Sequence, residues 1–204
     1  MNAQPQLRTI TEEEYRDGEE VSTIKHEWLD GQVYAMAGGT FNHATICGNA
    51  FAAAKAALRG KSCKARGSEL RIKAESNGQE VYPDAVIFCP PSRFVGKGDS
   101  TLLTPKVVFE VLSDSTQSYD RTGKFNLYKT IPTFEEYVLI EQERVWVDHF
   151  SKRGDDWVHR SYIQRSDVLK LQSVEIEISL DELYDELDLP EALLHFPDTS
   201  EKDV

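Results

Sequence analysis

The sequence has no long apolar run and few cysteines. No part of its 204 residues approaches the run of about 20 apolar residues that a membrane-spanning helix needs, and residues 1–15 (MNAQPQLRTITEEEY) lack a basic start followed by an apolar stretch. Cys47, Cys63 and Cys89 are odd in number and lack the paired spacing of zinc ligands. We therefore expect a cytoplasmic protein with no membrane contact, no disulfide framework and no zinc cage, whose thiols are core or idle groups.

Three familiar catalytic motifs are also missing. The chain has no Gly-rich phosphate loop ending in Lys-Ser or Lys-Thr, no His-Glu-x-x-His pair and no serine flanked as in a nucleophile elbow. Ser113 and His43 could be imagined as a nucleophile and its base, but no third group is indicated. Metal-assisted chemistry at carboxylates is better supported, because hard divalent cations take oxygen ligands and use few protein groups.

Positive charge is scarce overall but concentrated in one segment. The chain has 23 Lys and Arg against 35 Asp and Glu, a net charge of -12, which argues against a general nucleic-acid coat. Residues 55–73 nevertheless hold seven basic side chains and one acid, Glu69. We expect Lys61, Lys64 and Arg66 to contact nucleic-acid phosphates, while a merely solvated charged surface is the open alternative. The region 164–204 is an acidic C-terminal extension.

Two carboxylates lie on segments that are otherwise too apolar to hold them. Residues 81–89 (VYPDAVIFC) and 106–112 (KVVFEVL) read as strands covered on both faces, and each carries one acid, Asp84 or Glu110. A lone buried carboxylate costs several kcal/mol unless a cation or hydrogen-bond donors compensate it. The two acids therefore predict a shared partner.

A lysine-bearing helix follows the second of these strands. Residues 120–131 (DRTGKFNLYKTI) predict a helix that ends before Pro132, and Asp120, Lys124 and Tyr128 are spaced to share one face. On a strand-turn-helix unit this face can look back over the end of the preceding strand. We expect two carboxylates and a lysine to converge there.

At these residues the sequence resembles a known family. Pro-Asp at 83–84, Glu-Val-Leu-Ser at 110–113 and the later Asp-x-x-x-Lys-x-x-x-Tyr are similar to the PD-(D/E)XK nuclease superfamily, and more closely to its restriction-endonuclease branch called Uma-two. The superfamily keeps its lysine two residues after the acid, where this chain has Leu112; the branch takes it from the next helix, which matches Lys124. His-Glu-Trp-Leu-Asp-Gly at 26–31 and Phe-Asn-His at 41–43 also look like the branch. The likeness spans roughly residues 11–150.

The resemblance implies an α/β fold with a restriction-endonuclease-like core. We expect a central mixed β-sheet flanked by helices at 42–59 and 120–131, with an N-terminal hairpin around Asp30-Gly31 and additional C-terminal strands at 136–140, 144–150 and 156–163. Residues 90–105 predict a long polar loop, either disordered or in contact with DNA. The expected organisation is one domain, 1–204, with its core at about 20–150.

The resemblance also implies a function and a set of site residues. We expect hydrolysis of phosphodiester bonds in nucleic acid, with DNA the first choice and a homodimer left open. Asp84, Glu110 and a backbone carbonyl near Val111 would hold Mg²⁺ or Mn²⁺, and Lys124 would position water and stabilise developing charge. A non-catalytic binding or regulatory module that keeps the nuclease fold is the alternative.

Three further residues are secondary candidates. Glu27 lies just before the hairpin turn, where the family's first acid can approach the metal, although an exposed hairpin glutamate is common. His43 lies in the first turn of a helix, where it could touch phosphate, site water or only cap the helix. Asp120 shares the helix face of Lys124.

Overall fold

The protein is described by a computed structural model that covers residues 8–36, 38–114 and 116–191. Its strands, in chain order, are β1 (His26–Leu29), β2 (Gln32–Ala35), β3 (Lys64–Gly67), β4 (Arg71–Lys73), β5 (Glu80–Val81), β6 (Ala85–Phe88), β7 (Phe94–Val95), β8 (Thr101–Leu102), β9 (Val107–Leu112), β10 (Glu136–Glu141), β11 (Val147–Arg153), β12 (Asp156–Tyr162), β13 (Val168–Leu171) and β14 (Ile176–Ser179). Its helices are α1 (Glu12–Val21), α2 (Phe41–Ala57), α3 (Gln117–Tyr119), α4 (Phe125–Lys129) and α5 (Leu180–Leu183).

A mixed six-stranded sheet forms the centre of the fold, in the order β12-β11-β10-β9-β6-β3. Strands β9 and β10 are parallel, and the other neighbours are antiparallel. All six residues of β9 are buried, as a β-branched run covered on both faces requires. This sheet and its flanking helices confirm the predicted α/β fold class.

The two faces of β9 enter different apolar clusters. Val107, Phe109 and Val111 pack with the face of α2 that carries Ile46 and Ala50. Val108 and Leu112 point to the other face, where Tyr128, Phe134 and Tyr137 pack. Because side chains alternate along a strand, Glu110 belongs to this second face. The sequence therefore directs one carboxylate into an aromatic layer.

A second sheet covers that face, in the order β2-β1-β5-β4-β8-β7. Ile72, Val81 and Leu102 of this sheet join the aromatic cluster. The predicted N-terminal hairpin is present as β1 and β2, joined by Asp30 and Gly31, which have φ values of 48° and 79°. A turn with two positive φ values matches the twist of paired strands, which explains the Asp-Gly dipeptide.

The expectation of a long polar loop at 90–105 is wrong in part. The segment contains β7 and β8, and β8 pairs in parallel with β4. Thr101 and Leu102 are fully buried. Two-residue strands are too short for a hydrophobic period to be recognised, so only the tertiary pairing reveals them.

The expectation that no disulfide is present is also wrong. Cys63 and Cys89 form a disulfide with Cα atoms 4.1 Å apart. In the antiparallel pairing of β3 and β6, Lys64 stands opposite Phe88, so the preceding and following cysteines face each other. This register depends on the fold and cannot be derived from the spacing of the cysteines.

The described part of the acidic C-terminal extension packs on the core. Strands β13 and β14 form a hairpin whose Leu169 and Ile178 are fully buried in the cluster beside α2. Helix α5 begins with a capping box between Ser179 and Glu182. Residues 192–204 lie outside the described part. No helix in the described ranges combines the length and the apolar character that crossing a bilayer requires.

Candidate active site

Glu110 occupies the centre of a buried polar cluster. Its side chain is 3% exposed. The Tyr128 hydroxyl donates a hydrogen bond to Glu110 Oε1 at 2.8 Å, and Lys124 Nζ donates to Glu110 Oε2 at 3.3 Å. The helix after β9 therefore returns over the strand and brings both of its polar groups to one carboxylate.

Lys124 is surrounded by acids from three elements. Its Nζ lies 3.1 Å from Glu27 Oε1, 3.3 Å from Glu110 Oε1 and 3.5 Å from Asp120 Oδ1. It also donates to the Tyr82 carbonyl oxygen at 3.3 Å. The structure thus brings Glu27, Glu110, Asp120 and Lys124 together, and Glu27 is buried rather than exposed on its hairpin.

A π-helical segment, Asp120–Lys124, sets the positions of Asp120 and Lys124. Wider turns of this kind recur at functional sites, and here both terminal residues of the segment are buried. Gly123 permits the packing, since a Cβ atom there would lie 2.3 Å from ring atoms of Tyr119. The sequence pattern predicted a shared face, but not the widened turn that produces it.

Asp84 lies at the edge of the cluster, just before β6. The Val111 backbone N–H donates to Asp84 Oδ2 at 2.7 Å, which extends the pairing of β6 and β9 by a side chain. In an antiparallel pair, the N–H and C=O groups of one residue point toward the same neighbouring strand. The Val111 carbonyl therefore also points toward the strand that Asp84 precedes. Asp84 and Glu110 are therefore joined through one peptide unit.

His43 approaches Asp84 from α2. Thr40 caps this helix by accepting a hydrogen bond from the His43 N–H, and His43 Nε2 lies 3.6 Å from Asp84 Oδ2. Gly39 lets the chain pass close to the imidazole, because a Cβ at this position would lie 2.7 Å from His43 Nδ1. His43 therefore lies beside the acids rather than only at the surface.

The protonation of the cluster follows from burial and from its excess of acids. Burial raises the pKa of Glu110 well above its usual value; Asp120 and Asp84 add to this shift, and Lys124 opposes it. Burial alone would lower the pKa of Lys124, but Glu110, Glu27 and Asp120 raise it well above its usual value. Lys124 is therefore a stable ammonium ion beside more acids than it can neutralise.

The donor set fits a hard divalent cation. Asp84 and Glu110 offer carboxylate oxygens and Val111 a carbonyl oxygen, which are ligand types that Mg²⁺ and Mn²⁺ prefer. Asp120 Oδ1 is buried and has no hydrogen-bond partner among the described residues, so the cluster has unused acceptor capacity. The local surplus of negative charge also favours the binding of a cation.

The three residues of the predicted basic surface, Lys61, Lys64 and Arg66, do not have the same environment in the fold. Lys64 and Arg66 are exposed on the edge strand β3. Lys61 instead donates to the carbonyl oxygens of Val174 and Glu175 and thereby holds the C-terminal hairpin. The remaining basic residues of the segment include two in the second sheet that pair with acids, Arg71 with Glu80 and Lys73 with Glu12.

Two neighbours of the site were missed by sequence reasoning. The Tyr82 carbonyl leaves no sequence signal, because any residue supplies one. Cys47 lies one helical turn after His43, with its Sγ 3.4 Å from His43 Nδ1. The i, i+4 spacing of these two residues was a readable signal that they share a face.

Comparisons with known proteins place the sequence near one family. The family model Uma2, described as "Putative restriction endonuclease", matches residues 12–182. The uncharacterized protein slr1290 of Synechocystis sp. is 36% identical over 176 residues, 86% of this chain and 91% of the relative. The uncharacterized protein sll1609, also of Synechocystis sp., is 29% identical over 148 residues, 72% of this chain and 84% of the relative.

A solved structure is similar in fold. It is a chain from Anabaena variabilis ATCC 29413 described as a putative nuclease belonging to DUF820, with a TM-score of 0.63 over 79% of this chain and 90% of that one. At 15% identity, the similarity establishes a shared architecture and nothing about activity.

Proposed function

Because the chain belongs to the Uma2 family of restriction-endonuclease-like proteins, we propose that it hydrolyses phosphodiester bonds in nucleic acid with the help of a divalent metal ion, and that DNA is its substrate. The observation that carries the proposal is the contact of Lys124 with Glu110, one peptide unit from Asp84. Two carboxylates, from Asp84 and Glu110, and the Lys124 ammonium ion are therefore close together at one strand end.

The proposed metal ligands are Asp84, Glu110 and the Val111 carbonyl. Mg²⁺ or Mn²⁺ bound there would offset charge on the phosphate and lower the pKa of water. Glu110 must be ionised to act as a ligand, and its raised pKa means that binding drives off any proton it holds. The affinity for metal should therefore rise with pH.

The proposed role of Lys124 is electrostatic. Its raised pKa rules out a general base at neutral pH, because the group stays protonated. As an ammonium ion it can donate hydrogen bonds to the attacking water or to a phosphate oxygen. Glu27 and Asp120 hold the side chain in place between turnovers.

One observation favours the alternative, a non-catalytic module that keeps the nuclease fold. Lys124 Nζ contacts Glu27, Glu110, Asp120 and the Tyr82 carbonyl oxygen, and the Lys124 side chain is only 8% exposed. A purely structural ion cluster would have the same geometry. The two functions differ in whether the protein acts on nucleic acid when metal is supplied.

Cleavage of a supercoiled plasmid tests the proposal. Metal-stripped protein should convert the plasmid to open-circular and linear forms when Mg²⁺ or Mn²⁺ is added, and a chelator should stop the reaction. A linear single strand and an RNA of matched length would define the substrate class. Metal binding without cleavage of any of these substrates would overturn the proposal in favour of the binding module.

A further inference from the structure

A second group of potential metal ligands lies on the outer side of Asp84. His43, Cys47 and Asp84 each offer one ligand atom, and the three atoms lie within 4.8 Å of one another. Two of them come from successive turns of the 17-residue helix α2, and the third, Asp84, lies just before β6. The group is therefore assembled by the packing of α2 on the central sheet.

The donor chemistry differs from that of the Glu110 side. Burial raises the pKa of Cys47, so its sulfur loses a proton only when a metal binds. An imidazole nitrogen, such a cysteine sulfur and a carboxylate oxygen form a set typical of Zn²⁺, whereas Mg²⁺ takes oxygen ligands. Three protein ligands also leave one position of a tetrahedral zinc centre open. Cys47 remains available because the disulfide joins the other two cysteines.

The three side chains are held in place before any ligand arrives. The imidazole packs closely against Gly39, and its Nδ1 contacts the Cys47 Sγ. Asp84 is fixed by the Val111 N–H, which donates to Oδ2, the same oxygen that lies 3.6 Å from His43 Nε2. Such support from neighbouring groups is what orients metal ligands in proteins.

We propose that His43, Cys47 and Asp84 form a binding site for a divalent transition metal of the Zn²⁺ class. Asp84 also belongs to the proposed Mg²⁺ site, so the two metals compete for one carboxylate. This competition, unlike the binding itself, rests on the proposed function. Occupancy by zinc then withdraws a ligand from the catalytic metal and suppresses turnover.

Cobalt absorption spectroscopy tests the binding. Co²⁺ added to the reduced, metal-free protein should produce a thiolate-to-cobalt charge-transfer band, which Zn²⁺ should remove by displacement. Cys47→Ser should abolish the band, and His43→Gln should weaken Zn²⁺ binding at least about tenfold, the loss seen when zinc-site residues are altered. A wild-type protein with no thiolate band, or a band unchanged in Cys47→Ser, would overturn the proposal.

Two control variants separate this site from other parts of the molecule. A Cys63→Ser, Cys89→Ser double variant should keep the band, which excludes thiols released from the disulfide. Glu110→Gln should also keep it, although this change removes a ligand of the proposed Mg²⁺ site. The band does not depend on cleavage, so it can be present when the proposed function fails, and its absence does not contradict nuclease activity.

Competition is measured separately by calorimetry. Mn²⁺ binding to wild-type protein should weaken when Zn²⁺ is saturating, and Cys47→Ser should bind Mn²⁺ with less interference from the same Zn²⁺ concentration. Mn²⁺ binding that is unaffected by Zn²⁺ would show that the metals do not share Asp84.

Discussion

The environment of Glu110 favours the binding of a cation and lowers the stability of the folded protein when Glu110 is ionised. It is buried, and three other carboxylates, Glu27, Asp84 and Asp120, lie around the same lysine or strand end. Its pKa is raised, so its ionised form is destabilised by folding. A group of this kind contributes stability below its unfolded pKa and loses it as pH rises through the folded pKa.

The first prediction is that Glu110→Gln does not lower the stability of the metal-free protein at neutral pH. Glutamine keeps an acceptor for the Tyr128 hydroxyl while removing one of the crowded charges. In a chelator, the melting temperature of Glu110→Gln should equal or exceed that of wild type. Mn²⁺ should then raise the melting temperature of wild type more than that of the variant. A large loss of stability in the chelator would show that Glu110 is chiefly a structural partner of Lys124.

The second prediction is the opposite response for Lys124. Lys124→Ala removes the one cation that contacts Glu27, Glu110 and Asp120 within the described part of the chain. The change should destabilise the metal-free protein by about 3 kcal/mol, the scale for breaking a buried ion pair. Mn²⁺ should recover part of this loss in denaturant titrations, because it neutralises the same acids. Lys124→Arg is the matched variant: it keeps the charge with a different shape and should recover stability better than cleavage. If Lys124→Ala kept full stability without metal, the buried acids would not need the charge of Lys124 for folding.

At the scale of single residues, the sequence predicted which side chains converge but not how closely. Asp84, Glu110 and Lys124 were identifiable because charged groups interrupt apolar segments. Their distances depend on how the helix after β9 folds back, and no local pattern encodes that angle.

The π-helical segment is anchored by a side chain that the sequence does not mark. Arg121, inside the segment, donates to Glu141 Oε1 at 2.6 Å and to Asp148 Oδ2 at 2.9 Å. Burial alone would raise the pKa of Asp148, but hydrogen bonds from Ser161, Arg121, His159 and Trp146 lower it to about 2. Two strands, β10 and β11, are thereby tied to the segment that carries Lys124.

The third prediction concerns this anchor. Arg121→Met should destabilise the protein by about 1–2 kcal/mol at pH 7. This is less than the full scale of a hydrogen bond to a charged group, because the Arg121 side chain is about a third exposed. Asp148 has a lowered folded pKa, so its contribution to stability is present above its unfolded pKa and is lost as pH falls through about 2. The stability difference between wild type and Arg121→Met should therefore shrink between about pH 4 and pH 2.

Arg144→Met is the matched control for the anchor. Arg144 is half exposed and lies 3.9 Å from the same Glu141 carboxylate, so its loss should cost less than about 0.5 kcal/mol. Equal losses of stability in the two variants, measured by urea titration, would mean that Arg121 is an ordinary surface arginine.

Charge is distributed unevenly over the whole molecule. The chain carries a net charge of -12, but Lys64 and Arg66 are exposed on β3, the edge of the central sheet beside β6. Gly67 stands opposite Ala85, the residue after Asp84, so this edge leads toward the site. A nucleic-acid backbone lying along β3 toward Gly67 would approach Asp84.

The fourth prediction is that Lys64→Gln with Arg66→Gln weakens nucleic-acid binding and lowers its salt dependence. The slope of log affinity against log salt should decrease by about 2, close to one unit for each phosphate that is no longer neutralised. The matched control is Lys152→Gln with Arg160→Gln, two exposed charges on β11 and β12 at the opposite edge of the same sheet. Equal slopes for the two double variants would assign Lys64 and Arg66 to the ordinary surface.

The features that the sequence did not predict at this scale are those formed by distant pairing. The Cys63–Cys89 disulfide depends on the register of β3 and β6, and β8 is formed by its pairing with β4 and β7. Lys61 was assigned to a phosphate surface from charge alone, whereas its amine holds the hairpin of β13 and β14. By contrast, β9 and the β1–β2 hairpin were recognisable from local pattern, because burial on both faces and an Asp-Gly turn leave direct signals.

Single-turnover cleavage of a plasmid in Mn²⁺ distinguishes phosphodiester cleavage at the Glu110 cluster from cleavage elsewhere. Wild type, Glu110→Gln and the control Glu177→Gln, an exposed residue on β14, would be purified identically and compared at equal concentration. We predict a rate for Glu110→Gln that is lower by about a hundredfold or more, the scale for losing a charge-stabilising group, with Glu177→Gln equal to wild type. Equal cleavage by wild type and Glu110→Gln would contradict cleavage at the Glu110 cluster, because the activity would then arise elsewhere.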